Sequence, residues 1–252
     1  MDRRVMSFAG FRIFAGSESE ARNAVRGLVA AGNGGYVTFT GAHGIAETTR
    51  SAAVLTAHQR ASIVFPDGVP LTWLARVNGI DMDQIAGPRF IERVLEDASD
   101  RGWRLYLFGA SDKTLQSFVR RVGMRYPAVS IVGFESPPFG DPSDWPNRET
   151  LARIIDRQAD VVFVALSTPK QELWMHAVES VYSVSSKAVF LGFGAAVDVM
   201  AGVQRPVPTW VQGSGLEWLY RMGREPKRLW RRYAFAVPKV IWLAIRRPAR
   251  RG

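Results

Sequence analysis

Residues 161–172 read Val-Val-Phe-Val-Ala-Leu-Ser-Thr-Pro-Lys-Gln-Glu, and this stretch indicates the fold class. Its first half, residues 161–166, is apolar throughout, which is typical of a strand buried on both faces of a parallel sheet. Pro169 then stands near the first position of an amphipathic segment at residues 169–181, so a helix is predicted after the strand. The stretch therefore predicts a strand–loop–helix unit with polar side chains where the strand ends.

The same alternation of strand and helix patterns continues in both directions along the chain. Short apolar runs predict five further strands of the same sheet, at residues 36–40, 62–65, 104–108, 130–134 and 188–193. Amphipathic patterns predict helices at residues 87–101 and 112–126. Near the N-terminus, the run at residues 11–14 predicts another strand, and Ser17 and Glu20 have the spacing of a capping box that begins a helix to about Ala31. The sequence thus predicts an α/β fold: a Rossmann-like, layered, mainly parallel sheet flanked by helices.

Several of the predicted strands end in polar or glycine-containing turns, where ligands bind in open parallel sheets. These turns are Thr38–Gly44, Pro66-Asp67-Gly68, the Gly109 turn, the turn with Lys170 and Gln171, and Gly192–Ala195. The Gly109 turn precedes a helix and could present backbone N–H groups to a phosphate. Each turn also has a structural explanation, because Pro-Asp-Gly is a favoured turn, Ser-Thr-Pro can cap a helix and a lone histidine such as His43 is commonly packed.

Taken together and in this order, the segments resemble the WecG/TagA/CpsF glycosyltransferase family (glycosyltransferase family 26). The resemblance extends from about Gly35 to Tyr233. It is carried by Pro66-Asp67-Gly68, Thr168-Pro169-Lys170-Gln171-Glu172, Gly192–Asp198, Gly215–Arg221 and Glu225–Tyr233. It implies an inverting transferase that moves a sugar from a UDP-sugar to a polyprenyl-diphosphate-linked acceptor in bacterial surface polysaccharide or teichoic-acid synthesis. It also implies no cofactor and no essential metal.

The resemblance also assigns roles to individual residues. Asp67 matches the proposed catalytic base, and Gln171 matches an active-site glutamine that binds the sugar or the diphosphate, with Lys170 beside it as a counter-charge. Thr40, Gly41 and His43 match the polar loop over the nucleotide-sugar pocket. The chain departs from the common family pattern at four positions, where it has Phe39, Gly41, Gln84 and Arg89. These departures imply an altered position for one cation, an altered donor specificity or a weaker activity.

The last 52 residues carry the positive charge of the chain. They contain 12 basic and two acidic residues, which accounts for the formal net charge of +10, together with four of the eight tryptophans. We therefore divide the chain into an α/β catalytic domain at residues 1–200 and a basic, helical appendage at residues 201–252. Short apolar stretches between arginines predict a helix that lies on an anionic membrane surface.

The resemblance implies that three arginines of the appendage, Arg221, Arg228 and Arg231, complete the active site. Spaced at seven and three residues, they would share one face of a single helix and suit a diphosphate. A solvated basic face that grips lipid headgroups is the alternative. Both interpretations place the protein in the cytoplasm, on the inner face of the plasma membrane.

The composition and the absence of certain motifs argue against several other classes of protein. The chain has no cysteine, which excludes disulfides and thiolate metal sites, and we find no secretory signal or spanning segment. A nucleic-acid-binding module is disfavoured because the tail arginines alternate with Leu, Ile, Val and Trp. The chain lacks the Gly-x-Gly-x-x-Gly fingerprint, which argues against an NAD enzyme. A non-catalytic nucleotide-binding protein stays as an alternative. A homo-oligomer is compatible with the sequence.

Overall fold

A computed structural model describes residues 4–145, 147–182, 187–208, 211, 217–224, 226–246 and 249–251. A six-stranded sheet in the order β4-β3-β8-β7-β5-β6, with every neighbouring pair parallel, forms its centre. The strands described are β1 Val5–Phe8, β2 Phe11–Phe14, β3 Gly35–Thr40, β4 Ile63–Pro66, β5 Arg104–Gly109, β6 Ser130–Glu135, β7 Val161–Ala165, β8 Val189–Gly192 and β9 Arg250–Arg251.

The predicted fold class is confirmed, and the six apolar runs assigned to the main sheet are its six strands. Five of them, β3, β4, β5, β7 and β8, consist wholly or almost wholly of buried residues, as expected for strands covered on both faces. The exception is β6 at the sheet edge, whose residues are partly or fully exposed.

The strand predicted at Phe11–Phe14 lies outside the main sheet. It forms an antiparallel hairpin with β1, and β1 also pairs with β9 at the other end of the chain. Residues 11–14 alternate only partly between buried and exposed, so their local pattern does not identify the sheet to which they belong. The partner β9 is more than 230 residues away in sequence.

The predicted long helices are also present, with ends within one residue of prediction. Ser17 caps α1 and accepts a hydrogen bond from the backbone N–H of Glu20, whose side chain accepts from the N–H of Ser17, so the capping box is confirmed. The helices described are α1 Glu18–Ala31, α2 Ala42–Thr48, α3 Ala52–Arg60, α4 Val69–Val77, α5 Gly87–Arg101, α6 Asp112–Arg125, α7 Asn147–Asp156, α8 Lys170–Tyr182, α9 Ala196–Met200, α10 Glu217–Arg224 and α11 Pro226–Arg246, with a 3-10 turn at Pro142–Asp144.

The helices cover the sheet in two layers. Apolar residues of α1, α5, α6 and α9 form one continuous core with one face of the sheet. Residues of α7 and α8 form a second core with the opposite face, where α3 packs against α8. A third cluster joins the β1–β2 hairpin, α2, α4 and the C-terminal part of α11.

A buried ion cluster ties α1 to α5. The carboxylate of Asp97 is 1% exposed and accepts hydrogen bonds from Arg22 at 2.8 Å and from Arg26 at 2.5 Å. Burial opposes ionisation, but the hydrogen bonds from Arg22 and Arg26 outweigh it and lower the pKa of Asp97 below its usual value. The charged form of Asp97 therefore stabilises the folded state.

We expect Asp97→Asn to lower the free energy of unfolding by about 2–3 kcal/mol at neutral pH, less than for a fully buried pair because both arginines are partly exposed. The wild-type contribution is fully present above the ordinary carboxyl pKa and is lost as pH falls through the lower pKa of the folded protein. Urea unfolding between pH 7 and pH 3 measures both effects. A variant that unfolds with the wild-type midpoint and pH dependence would contradict this assignment.

The C-terminal appendage packs against the body through α11. Ala236, Val240 and Leu243 are buried, and α11 contacts α2, while Arg50 on the loop after α2 lies 4.4 Å from the ring centroid of Phe235. The two apolar stretches on either side of Pro238 form one continuous helix. No helix among the described residues is both long and apolar enough to cross a bilayer. The division at residue 200 stays a prediction, since residues on both sides of it share the third cluster.

Candidate active site

The loops that follow β4, β3, β8, β7 and β5 lie along one edge of the sheet. These strands are consecutive neighbours and all parallel, so their carboxyl ends meet there. The residues at this edge are Asp67 after β4, Thr40 at the end of β3, Gly41 after β3, Gly194 after β8, Gln171 after β7 and Gly109 at the end of β5. This is the arrangement that the sequence predicts for its polar strand ends.

The loops after β3 and β4 are packed directly against each other. The backbone N–H of Asp67 donates to the carbonyl oxygen of Thr40 at 3.0 Å, which continues the β3–β4 ladder by one residue. Asp67 is half-buried at the entrance to α4, and Gly68 adopts a φ of 117° that suits glycine. A Cβ atom on Gly41 would collide with the carbonyl oxygen of Asp67. Glycine at position 41 therefore allows this close approach, which accounts physically for one departure from the family pattern.

We expect Gly41→Ala to lower the free energy of unfolding by about 1–3 kcal/mol, because the added methyl group must push the Asp67 turn away. The displacement should also reduce turnover through Asp67. Gly27→Ala in α1 is the matched control, since a Cβ there meets no atom within 4 Å. That change should stabilise the protein by about 0.5–1 kcal/mol. Urea unfolding of both variants measures the contrast, and equal effects would contradict the close approach.

Phe39, a second departure, points away from the polar edge. It is buried, 7% exposed, and its ring stacks on Phe193 at a centroid distance of 4.9 Å. Phe65 and Phe90 complete the cluster at 5.4 and 5.7 Å. Phe39 therefore packs beneath the loop after β8 and belongs to the hydrophobic core.

His58, which the sequence analysis did not select, contacts the predicted site residue Thr40. Its Nε2 atom lies 3.0 Å from Oγ1 of Thr40, while its Nδ1 atom lies 2.8 Å from the carbonyl oxygen of Val54. Because a carbonyl oxygen only accepts, Nδ1 carries a proton and Nε2 faces the threonine hydroxyl. The sequence around His58 follows the pattern of a core residue of α3, so it gives no signal that His58 contacts a site residue. His43 lies on α2, half-buried, with Nδ1 3.9 Å from Oε1 of Glu47.

Gln171, in the first turn of α8, packs against the end of β8 and the loop after it. It is 3% exposed, and a Cβ on Gly192 would lie 3.2 Å from its Cδ atom, so the glycine leaves room for this side chain. Its Nε2 atom donates to Oε1 of Glu172 at 3.0 Å, and Thr168 donates to the same oxygen at 3.1 Å. Oε1 of Gln171 and Oε2 of Glu172 are buried and have no hydrogen-bond partner among the described residues. Such an atom costs about 1–3 kcal/mol of stability, which is tolerated where a ligand completes the bonding.

Lys170 contacts the loop that precedes the 3-10 turn at Pro142–Asp144. Its Nζ atom donates to the carbonyl oxygen of Gly140 at 2.5 Å and lies 5.6 Å from the ring centroid of Phe139, which is fully exposed. Lys170 therefore holds the loop of residues 137–142 near the site. Its role as a counter-charge for a diphosphate stays a prediction.

The Gly109 turn is shaped by close packing between neighbouring strands. Gly109 has a φ of 96°, and a Cβ there would lie 2.7 Å from the carbonyl oxygen of Ala165. The N–H of Ala110 donates to the same carbonyl at 2.8 Å, and the Ser111 side chain accepts from the N–H of Thr114. The amide of Ala110 is therefore already bonded within the protein, and a phosphate site at this turn stays a prediction.

The remaining departures lie next to the Asp67 turn. The N–H of Ile85 donates to the carbonyl oxygen of Pro66 at 2.8 Å, which places the neighbouring Gln84 beside this turn. Arg89, at the start of α5, forms an ion pair with Glu18 at 2.6 Å and donates to the backbone oxygen of Gln84 at 3.4 Å. Arg89, one of the departures from the family pattern, therefore forms its ion pair with α1.

The three predicted arginines of the appendage are distributed over two helices. Arg221 lies in α10, which ends at Arg224, whereas Arg228 and Arg231 lie in α11, which begins at Pro226. Residue 225, between the two helices, lies outside the described part of the chain, so the expectation that all three share one helical face stays a prediction. Their side chains lie outside the part of the chain that the structure describes.

The described residues contain no group of three or more His, Asp or Glu side chains placed to hold a metal ion. The polar groups described at the edge are a carboxylate at a turn, a threonine hydroxyl in contact with a histidine, and a buried amide. These groups can accept a proton and hydrogen-bond a polar ligand.

Comparison with known proteins identifies the family of this chain. The model of the WecG/TagA/CpsF glycosyl transferase family matches residues 6–252. The N-acetylglucosaminyldiphosphoundecaprenol N-acetyl-beta-D-mannosaminyltransferase of Bacillus spizizenii strain W23 is 29% identical over 196 residues, covering 77% of this chain and 71% of the relative. The protein of the same name from Bacillus subtilis strain 168 is 30% identical over 181 residues, covering 71% of this chain and 66% of the relative. The chain therefore belongs to the WecG/TagA/CpsF family and is a glycosyltransferase.

Proposed function

We propose that this glycosyltransferase moves a sugar from a UDP-sugar to a polyprenyl-diphosphate-linked glycan, with inversion at the anomeric carbon. The names of the two Bacillus relatives favour N-acetylmannosamine as the transferred sugar and an N-acetylglucosaminyl-diphosphate lipid as the acceptor. The product would serve bacterial surface polysaccharide or teichoic-acid synthesis. The observation that carries the proposal is the packing of the Asp67 turn against Thr40 and Gly41 at the carboxyl edge of the sheet.

The reaction needs a base and a means of stabilising the departing diphosphate. In our proposal Asp67 takes the proton of the acceptor hydroxyl as that oxygen forms its bond to the anomeric carbon and the bond from that carbon to the UDP oxygen breaks. Arg221, Arg228 and Arg231 provide positive charge for the UDP that leaves. Thr40, His43 and Gln171 line the donor side, and Gly109 and Lys170 shape loops beside it.

The outer face of α11 supports attachment to an anionic membrane surface. Phe235, Val237, Ile241, Trp242 and Ile245 are between 37% and 77% exposed, whereas the opposite face of the helix is buried against the body. Lys239 and Arg246 lie 4.6 and 4.9 Å from the ring centroid of Trp242. Aromatic and aliphatic side chains flanked by cations suit the boundary between headgroups and acyl chains. We place the protein on the cytoplasmic face of the plasma membrane, where its lipid-linked acceptor diffuses.

The proposal is tested with purified protein, a panel of UDP-sugars and a short-chain polyprenyl-diphosphate N-acetylglucosamine. UDP release should require both substrates, be fastest with UDP-N-acetylmannosamine and persist in EDTA. Product anomers determined by NMR should be inverted relative to the donor. Turnover of a different donor would replace the sugar assignment, whereas retention of configuration or release of UDP without acceptor would contradict the proposed reaction.

A further inference from the structure

The hydrogen bonds of the buried Gln171 and Glu172 side chains define which end of the Gln171 amide faces Glu172. Oε1 of Glu172 receives hydrogen bonds from Nε2 of Gln171 at 3.0 Å and from the hydroxyl of Thr168 at 3.1 Å, and Glu172 is 1% exposed. An amide side chain has a donor end and an acceptor end, and a carboxylate oxygen only accepts. The NH2 group of Gln171 is therefore turned toward Glu172, and its carbonyl oxygen is turned away.

The carbonyl oxygen of Gln171 lies against the loop after β8. A Cβ on Gly194 would come within 3.4 Å of this oxygen, and Gly194 belongs to the polar edge described above. The N–H of Gly194 is already bonded to the carbonyl oxygen of Val164 at 3.0 Å, so it does not serve the amide. The oxygen is buried and has no hydrogen-bond partner within the described ranges. This oxygen can therefore accept a hydrogen bond from a ligand.

We propose that Glu172 is a positioning residue that holds Gln171 with its carbonyl oxygen toward the substrate, so that Gln171 recognises a hydrogen-bond donor on the transferred sugar. The identity of that ligand rests on the proposed function. Phosphate oxygens of a nucleotide diphosphate accept hydrogen bonds at neutral pH, whereas sugar hydroxyl groups and an acetamido N–H donate them. Gln171 thus selects the sugar, and the diphosphate is bound elsewhere in the site.

The first experiment measures discrimination between donors. A UDP-N-acetylmannosamine panel that lacks one hydroxyl at a time, or carries an ester in place of the acetamido N–H, is compared in wild type and in Glu172→Gln. We expect wild type to reject one analogue by at least about 100-fold in kcat/KM. In Glu172→Gln the side chain at position 172 can donate as well as accept, so it no longer determines which end of the Gln171 amide faces it. The ratio should then fall below about tenfold, with the affinity for UDP unchanged.

Glu179→Gln on the same helix is the matched control and should keep the wild-type ratio. A structural role for Glu172 would slow all donors by one factor and leave the discrimination unaltered. That result, or an equal loss of affinity for UDP alone, would overturn the proposal.

A second measurement does not depend on turnover. In 15N-labelled protein, the side-chain NH2 signal of Gln171 is identified by its absence in Gln171→Leu. We expect its hydrogen exchange to be slow in wild type compared with the exposed Gln116, and faster in Glu172→Gln. Exchange as fast as that of Gln116 would overturn the positioning role. Slow exchange in a protein that turns over no UDP-sugar would support the positioning role and contradict the proposed function alone.

Discussion

Asp67→Asn is expected to reduce kcat by about 10²- to 10⁴-fold, the usual contribution of a general base. The asparagine has the same shape, and the backbone bond from residue 67 to the Thr40 carbonyl oxygen does not involve the side chain. The fold should therefore persist while the acceptor hydroxyl loses its proton acceptor. UDP release with saturating donor and acceptor measures the loss, and titration with UDP checks that the nucleotide still binds.

Asp81→Asn is the matched control for Asp67. Asp81 is an exposed carboxylate on the loop between α4 and α5, so its replacement should leave kcat within about twofold, as expected for surface substitutions. Turnover of Asp67→Asn at the wild-type rate would remove Asp67 as the base. A loss of UDP binding equal to the loss of kcat would instead indicate a binding role.

The second large effect is expected from the outer face of α11. Replacing Ile241, Trp242 and Ile245 with serine should weaken binding to anionic vesicles by about 100-fold. Each side chain contributes about 1 kcal/mol when only part of its apolar area is inserted, and 1.4 kcal/mol corresponds to a factor of ten. Vesicle sedimentation with anionic and with zwitterionic lipid measures the change. The remaining attraction should be electrostatic and should decline with added salt.

Substitutions on this face are a sharper test than removal of the appendage. Deletion would also remove Val240, Leu243 and Ala249, which are buried with β1 and β2, and would unpair β9 from β1. Serine at Met124, Phe134 and Val203, which are exposed apolar residues on other elements, is the control and should leave binding unchanged. Equal loss in both triple variants, or none in either, would contradict attachment through α11.

Much of the fold could be predicted because its signals are local. A strand covered on both faces must be apolar throughout, so β3, β4, β5, β7 and β8 were recognisable without knowledge of their neighbours. The edge strand β6 was recognised from its apolar residues, although they are partly or fully exposed. The N-terminus of α1 was likewise specified within four residues by Ser17 and Glu20. The β2 strand was recognised as a strand but not as part of a separate sheet, because its sheet depends on β1 and on the distant β9.

For the candidate site, the grouping of the polar turns could be predicted from the sequence, but the contacts of their side chains could not. The polar turns could be grouped because parallel strands end at one edge, which depends on topology alone. The contacts among the side chains at that edge could not be predicted. Lys170 and Gln171 are adjacent in sequence, but Lys170 bonds to Gly140 while Gln171 bonds to Glu172. Adjacent helical residues point about 100° apart, so their partners depend on what packs around the helix.

The sequence by itself determined the α/β class, the six strands of the sheet, the polar strand ends and the basic, tryptophan-rich C-terminus. Each follows from composition or periodicity within a few residues. Only the tertiary structure decided that His58 supports Thr40, that Gly41 admits the Asp67 carbonyl and that one face of α11 is buried while the other is exposed. These features depend on distances between segments far apart in the chain, and such distances are set by packing.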